Sequence, residues 1–217
     1  MDNESGVIST FKDALRDAAQ RSSQTFKDYP LGSQDRQTLA DDIWATCSHF
    51  TLVESKAGEH KIQTEYKDKE DRVKRLCEAL QNNPQMAALH EKCHRIAWRE
   101  NGTGRLMTSE YRQIVCRTRW PGTCSNLQKV EPTTIDEFAN SFFKKPPDHG
   151  LSADCFKKYV RWLIKTITCE ERELLVLARK IENGLTIAAP TTLDQLSVLL
   201  SESPKAEKSA SARKLRK

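Results

Sequence analysis

The 217-residue chain lacks any apolar run near the roughly 18 residues that a membrane span needs. Its first residues, Met1-Asp2-Asn3-Glu4-Ser5, carry neither the basic nor the apolar stretch of a secretory leader. A cytoplasmic protein with no membrane partner is expected. Glycine and proline are scarce, eight of each, which excludes collagen-like and low-complexity chains. No Cys-x-x-Cys pair occurs among the seven cysteines (47, 77, 93, 116, 124, 155 and 169). Odd in number and scattered, they read as reduced, mostly buried thiols. An excess of one charge is also missing from the body. The net charge is +5, but residues 202–217 hold six Lys/Arg against Glu202 and Glu207, leaving about +1 for the rest. Nucleic-acid contact by the body must therefore come from a local patch and not from a global positive field.

What is present is a globular pattern, 37% hydrophobic and 30% charged. Residues 5–21 place Val7, Ile8, Phe11, Leu15, Ala18 and Ala19 on one helical stripe, onto which Glu4 also projects. Residues 29–40 read as a polar connection. Asp42–Thr46 and Phe50–Ala57 read as strands of a hairpin, 65–81 as a charged helix ended by Pro84, and 85–92 as a short helix. A third strand is expected at His94–Trp98, a turn at Asn101–Gly104 and a fourth strand at Tyr111–Arg117. Beyond Pro121-Gly122 the pattern turns helical. Ser152–Ile167 is amphipathic, and Thr168-Cys-Glu-Glu171 reads as a capping box opening a helix that stops at Asn183-Gly184. Leu185–Ala189 fits a short strand. The phrases Pro132-Thr-Thr-Ile-Asp-Glu137 and Pro190-Thr-Thr-Leu-Asp-Gln195 read as two helix starts with a Thr cap. The expected organisation is an α/β core at 1–125 with a mixed sheet flanked by helices, a mainly helical extension at 126–201, and a disordered basic tail at 202–217.

The most informative stretch runs from Leu39 to Lys56. Side chains alternate along a strand, so Glu54 and Lys56 share one face and Ser55 takes the other. An aspartate from the partner strand would complete a cluster of two carboxylates and one ammonium, suited to Mg²⁺ and a phosphate. The hairpin register decides which aspartate arrives. An even sum of paired residue numbers sets Asp42 across from Glu54, and an odd sum brings Asp41 to that face; Asp42 is the preferred reading. Charges on an apolar strand flanked by Phe50, Leu52 and Val53 are costly unless they serve a purpose. A solvated cross-strand pair is the plainer alternative.

Asp42, an eleven-residue interval and Glu54-Ser55-Lys56 at the end of an apolar strand, with a helix on either side, resemble the PD-(D/E)XK nuclease superfamily over roughly residues 1–117. The resemblance implies a restriction-endonuclease-like core of a helix, a three-strand meander, a second helix and a further strand. It also implies Mg²⁺- or Mn²⁺-dependent hydrolysis of phosphodiester bonds, mostly in DNA. Asp42 and Glu54 would hold metal and Lys56 would assist the nucleophile, with Asp41 the alternative ligand and Glu4 a further acid from the first helix. Lys67, Arg72 and Arg75 on helix 65–81, among other cations there, would meet the phosphate backbone of a duplex without reading its bases. Interleaved acids make a solvated helix face the plainer account of them. A non-catalytic nucleic-acid- or protein-binding module on the same scaffold is the alternative function, and the C-terminal helices are a candidate surface for a protein partner or a homodimer.

His90-Glu91-Lys92-Cys93-His94 is a literal His-Glu-x-x-His, which on one helix would bind zinc as in a metallopeptidase. Lys92 between the histidines and an expected strand from His94 oppose that third reading. Histidines packed beside the sheet are the simpler expectation.

Overall fold

The computed structural model describes residues 4–31, 38–46, 48–124, 127–169, 174–180, 186–192 and 195. The tail at 202–217 lies outside the described residues, as does Cys47. In chain order the elements are α1 (Glu4–Arg21), β1 (Lys27–Pro30), β2 (Asp42–Ala45), β3 (Phe50–Lys56), α2 (Ile62–Asp68), α3 (Glu70–Asn82), α4 (Pro84–Cys93), β4 (His94–Arg99), β5 (Leu106–Glu110), β6 (Thr133–Thr134), α5 (Ile135–Phe142), α6 (Ala153–Thr168), β7 (Leu174–Lys180) and β8 (Thr186–Thr192). Strands β1 to β6 form one mixed sheet in sequence order. Every neighbouring pair is antiparallel except β3 and β4, which run parallel across a connection holding α2, α3 and α4. Parallel neighbours require such a crossover.

Two apolar cores sandwich the sheet. On one face Phe11 and Leu15 of α1 and Phe138 and Phe142 of α5 pack on Trp44, Val53 and Ala97. On the other, Val73 and Leu76 of α3 and Phe156, Val160 and Leu163 of α6 pack on Ile43, Leu52 and Ile96. Each fully buried side chain of this size contributes about 1.5–3 kcal/mol, so both faces hold β2 and β3 firmly. Local chemistry sets the helix ends. Pro84 occupies the first turn of α4, where its missing N–H costs nothing, and the Asn83 side chain accepts from the Met86 N–H. Thr134 and Glu137 form a reciprocal capping box at α5.

Several expectations are corrected. Residues 29–40 include the end of a strand, β1. The charged helix is two helices, α2 and α3. Tyr111–Arg117 is not a strand, because β5 ends at Glu110 and a π-helical turn, Arg112–Cys116, follows. Its apolar run is too short for periodicity to separate a buried strand from a buried helix. The expected helix before Asn183 is replaced over 174–180 by β7, which pairs with β8. The second Thr-capped phrase does form its reciprocal bonds, Thr192 N–H to Gln195 Oε1 and Gln195 N–H to Thr192 Oγ1. Helices α5 and α6 lie against opposite faces of the sheet, and their apolar sides pack within the chain. Cys77 and Cys116 are not thiols but a disulfide, with Cα atoms 5.7 Å apart. Of the free cysteines described, Cys93 and Cys124 are buried and Cys155 and Cys169 exposed. Among the described residues, no helix is long and apolar enough to cross a membrane.

Candidate active site

The register of β2 against β3 pairs Asp42 with Val53 and Ile43 with Leu52, an odd sum. Asp41, just before the strand, therefore faces Glu54, and Asp42 points to the opposite side of the sheet. Two bonds fix Asp41 there. Its N–H donates to the Val53 carbonyl (2.9 Å) and its Oδ2 accepts the Ser55 N–H (2.8 Å). Asp42 is buried beneath α1, where Lys12 Nζ donates to its Oδ1 at 2.6 Å and also reaches Asp28 at 3.0 Å. Burial raises the Asp42 pKa, with Lys12 opposing. The preferred assignment of Asp42 as the partner of Glu54 is thus corrected to Asp41. The cause is a one-residue register difference that composition does not encode. Glu4 begins α1, but its side chain lies outside the described residues.

Glu54 and Lys56 share a face, as their spacing requires, and two residues that the sequence reading did not single out as a pair join them: Glu65 of α2 and Lys69 between α2 and α3. Lys56 Nζ lies 2.5 Å from Glu54 Oε1 and 2.8 Å from Glu65 Oε2, while Lys69 Nζ lies 3.0 Å from Glu54 Oε1 and 3.1 Å from Glu65 Oε1. The four side chains close an alternating ring of carboxylates and ammoniums. Glu65 is fully buried, and the Tyr111 hydroxyl donates to its Oε1 at 2.9 Å. A signal for this pair was present. Glu65 and Lys69 stand one helical turn apart, in line with Ile62, Val73 and Leu76, where charges are costly without partners.

Burial, with Glu65 and Asp41 adding, pushes the Glu54 pKa well above the carboxylate range, against the two lysines. Burial would raise Glu65 as well. Lys56, a hydrogen bond from the Glu54 carboxyl and Lys69 outweigh it and lower its pKa. Burial would lower Lys56, yet Glu54 and Glu65 raise it, so this lysine is firmly cationic. If every carboxyl is ionised, Glu54 Oε2 is a buried acceptor with no donor; protonated, that carboxyl donates to Glu65.

Glu54, Lys56 and Lys69 of the ring line a cleft of about 890 Å³ that also carries Lys61, Lys67, Arg72 and Arg75, interleaved with Asp68, Glu70 and Asp71. The three cations singled out from sequence, Lys67, Arg72 and Arg75, thus share one cleft with Asp41, Glu54 and Lys56. Lys67 Nζ donates to Gln63 Oε1 (3.2 Å) and Arg75 Nη1 to Cys169 Sγ (3.1 Å).

Among the described residues no group of three His, Cys, Asp or Glu side chains is arranged to hold a metal ion. Asp41 with Glu54 is the donor set that a divalent cation would meet here. The set fits Mg²⁺ in kind, because that ion is commonly held by one or two carboxylates plus water and phosphate oxygens. The donorless Glu54 Oε2 is the atom that such an ion would satisfy.

The His-Glu-x-x-His segment does not make a metal site. Helix α4 ends at Cys93 and His94 opens β4. The Nδ1 atoms of His90 and His94 lie 2.7 and 2.8 Å from the Tyr159 hydroxyl, and His94 Nε2 lies 2.9 Å from the Leu39 carbonyl. That carbonyl requires the Nε2 proton on His94, so Tyr159 donates to His94 Nδ1 and accepts from His90 Nδ1–H. Leu39, with φ of 50°, takes the left-handed turn that delivers Asp41. His94 braces that turn from behind and packs, tilted by 34°, against Tyr111, the donor to Glu65, with ring centroids 4.6 Å apart. The histidines support the site without entering it.

Comparison with known proteins finds no match: no family model, no curated protein and no solved structure matches this chain.

Proposed function

We propose that this protein is a divalent-cation-dependent nuclease that hydrolyses phosphodiester bonds, with DNA as its substrate, on a restriction-endonuclease-like core. The observation that carries the reading is the β2–β3 register, which sets Asp41 beside Glu54 with Lys56 on the same face of a cation-lined cleft. The order α1, the β1–β2–β3 meander, the helices and then β4 parallel to β3 supports it as well. Asp41 and Glu54 would hold Mg²⁺ or Mn²⁺, which when bound polarises a phosphoryl oxygen and acidifies water. Lys56, kept protonated by two carboxylates, supplies positive charge to the pentavalent transition state and orients the nucleophile, and does not take its proton. Lys67, Arg72 and Arg75 bind neighbouring phosphates and so position the strand without selecting bases.

The closed ring favours a second reading, a non-catalytic nucleic-acid-binding module, because Glu54 and Glu65 are neutralised by lysines from within the chain. Incubating plasmid and linear DNA with Mg²⁺ or Mn²⁺ separates the two. Wild type should cut, while Asp41→Asn, Glu54→Ala and Lys56→Ala should each lose about 100-fold or more in rate. Asp42→Asn should lose stability and retain the chemistry. Cleavage that survives at Asp41→Asn and Lys56→Ala ends the nuclease reading, and binding without cutting in the wild type selects the module.

A further inference from the structure

The ring of Glu54, Lys56, Glu65 and Lys69 is a buried double ion pair beside an open cleft. Each lysine touches both glutamates, and each glutamate touches both lysines, at 2.5 to 3.1 Å. Burying four charges carries a desolvation cost that packed apolar side chains would avoid. The arrangement also resists any ligand that engages one sign of charge alone. A cation that takes Glu54 leaves Lys56 and Lys69 with too few counter-charges, and a phosphate that draws the lysines outward strands Glu54 and Glu65. A buried charge that loses its partner is strongly penalised.

The geometry gives the direction of the effect. A cation that takes Glu54 releases Lys56 and Lys69 to a phosphate, and a phosphate that takes those lysines releases Glu54 to the cation, so each ligand offsets the cost of the other. We infer that Glu65 and Lys69 are positioning residues that balance this site so that a divalent cation and a phosphodiester bind as a pair, each strengthening the other. This deepens the nuclease reading and rests on it. Tyr111 anchors the device, donating to Glu65 Oε1, the oxygen that Lys69 also contacts.

The test uses the full chain, Ca²⁺ as a cation that need not support turnover, and a fluorescein-labelled oligonucleotide, all at fixed ionic strength. Ca²⁺ is expected to tighten oligonucleotide binding about tenfold or more, and calorimetry should show the oligonucleotide tightening Ca²⁺ by the same factor, since coupling is reciprocal. The two variants should move in opposite directions. Lys69→Met adds net negative charge, so Ca²⁺ alone binds tighter than to wild type and the oligonucleotide alone binds weaker. Glu65→Gln reverses both changes. Lys69→Arg, which keeps the charge, restores the wild-type coupling. A merely structural role for the pair would weaken both ligands in both variants, and that result overturns the inference. So does a coupling factor of one in the wild type, a measurement that needs no variant to fold. If that wild type still cuts DNA with Mg²⁺, the inference alone has failed. Strong coupling without cutting upholds the inference and removes the nuclease reading.

Discussion

At the residue scale, the side chains with the most consequence are those that the chemistry never touches. Burial drives the His90 pKa well below its ordinary value, with His94 and Arg112 adding to the effect, and burial lowers His94 to about 4 despite its bond to the Leu39 carbonyl. Both are neutral in the fold, while in the unfolded chain they titrate near 6.5. The unfolded state therefore binds more protons, and stability is complete above about pH 6.5 and falls as pH drops toward 4. His94 alone removes about 3 kcal/mol by pH 4. Urea unfolding measured from pH 7 to 4 should show this decline, and His94→Asn should flatten it; an unchanged slope in that variant would refute the assignment. Part of the candidate site was legible from residue order alone. Alternation put Glu54 and Lys56 on one face, and the basic positions 67, 72 and 75 do line the cleft. The choice between Asp41 and Asp42 was not legible, because both are acidic, adjacent and flanked by apolar residues, and only the hairpin register separates them. Glu65 and Lys69 were obscured for another reason. They stand among many charges on a helical stretch, and only the tertiary fold brings them against Lys56 and Glu54 of β3.

At the element scale, the disulfide links α3, which carries Arg72 and Arg75, to the π-helical turn after Tyr111. One covalent link thus joins a wall of the cleft to the segment that anchors Glu65. With its cysteines 39 residues apart, loop entropy gives it about 4 kcal/mol of stability. Unfolding with and without reductant should differ by about that amount, and Cys116→Ser should behave like the reduced wild type; equal midpoints would show the link to be energetically idle. Elements with a long amphipathic stripe, α1 and α6, were readable because burial follows the 3.6-residue period. Short ones were not. β1 has four residues with no alternation in burial, the turn at 112–116 buries charged and apolar side chains together, and β7 is strand by virtue of its pairing with β8, which outweighs local helical preference.

At the scale of the whole molecule, charge and architecture are divided. Most of the net charge belongs to residues 202–217, away from the cleft in sequence. Deleting them should make oligonucleotide binding weaker and its salt dependence shallower, with cleavage at saturating substrate unchanged within about twofold. A matching loss of turnover would place the tail in the chemistry instead. The sheet divides the two neighbouring aspartates in the same way, one to each side. Asp42 is clamped by Lys12 under α1 and Asp41 opens onto the cleft. The register thus ties the site to the packing of both cores. A one-residue slip of β2 along β3 would exchange the two carboxylates only by also turning Ile43 and Trp44 into each other's core, so the apolar layers hold the acid of the groove in place.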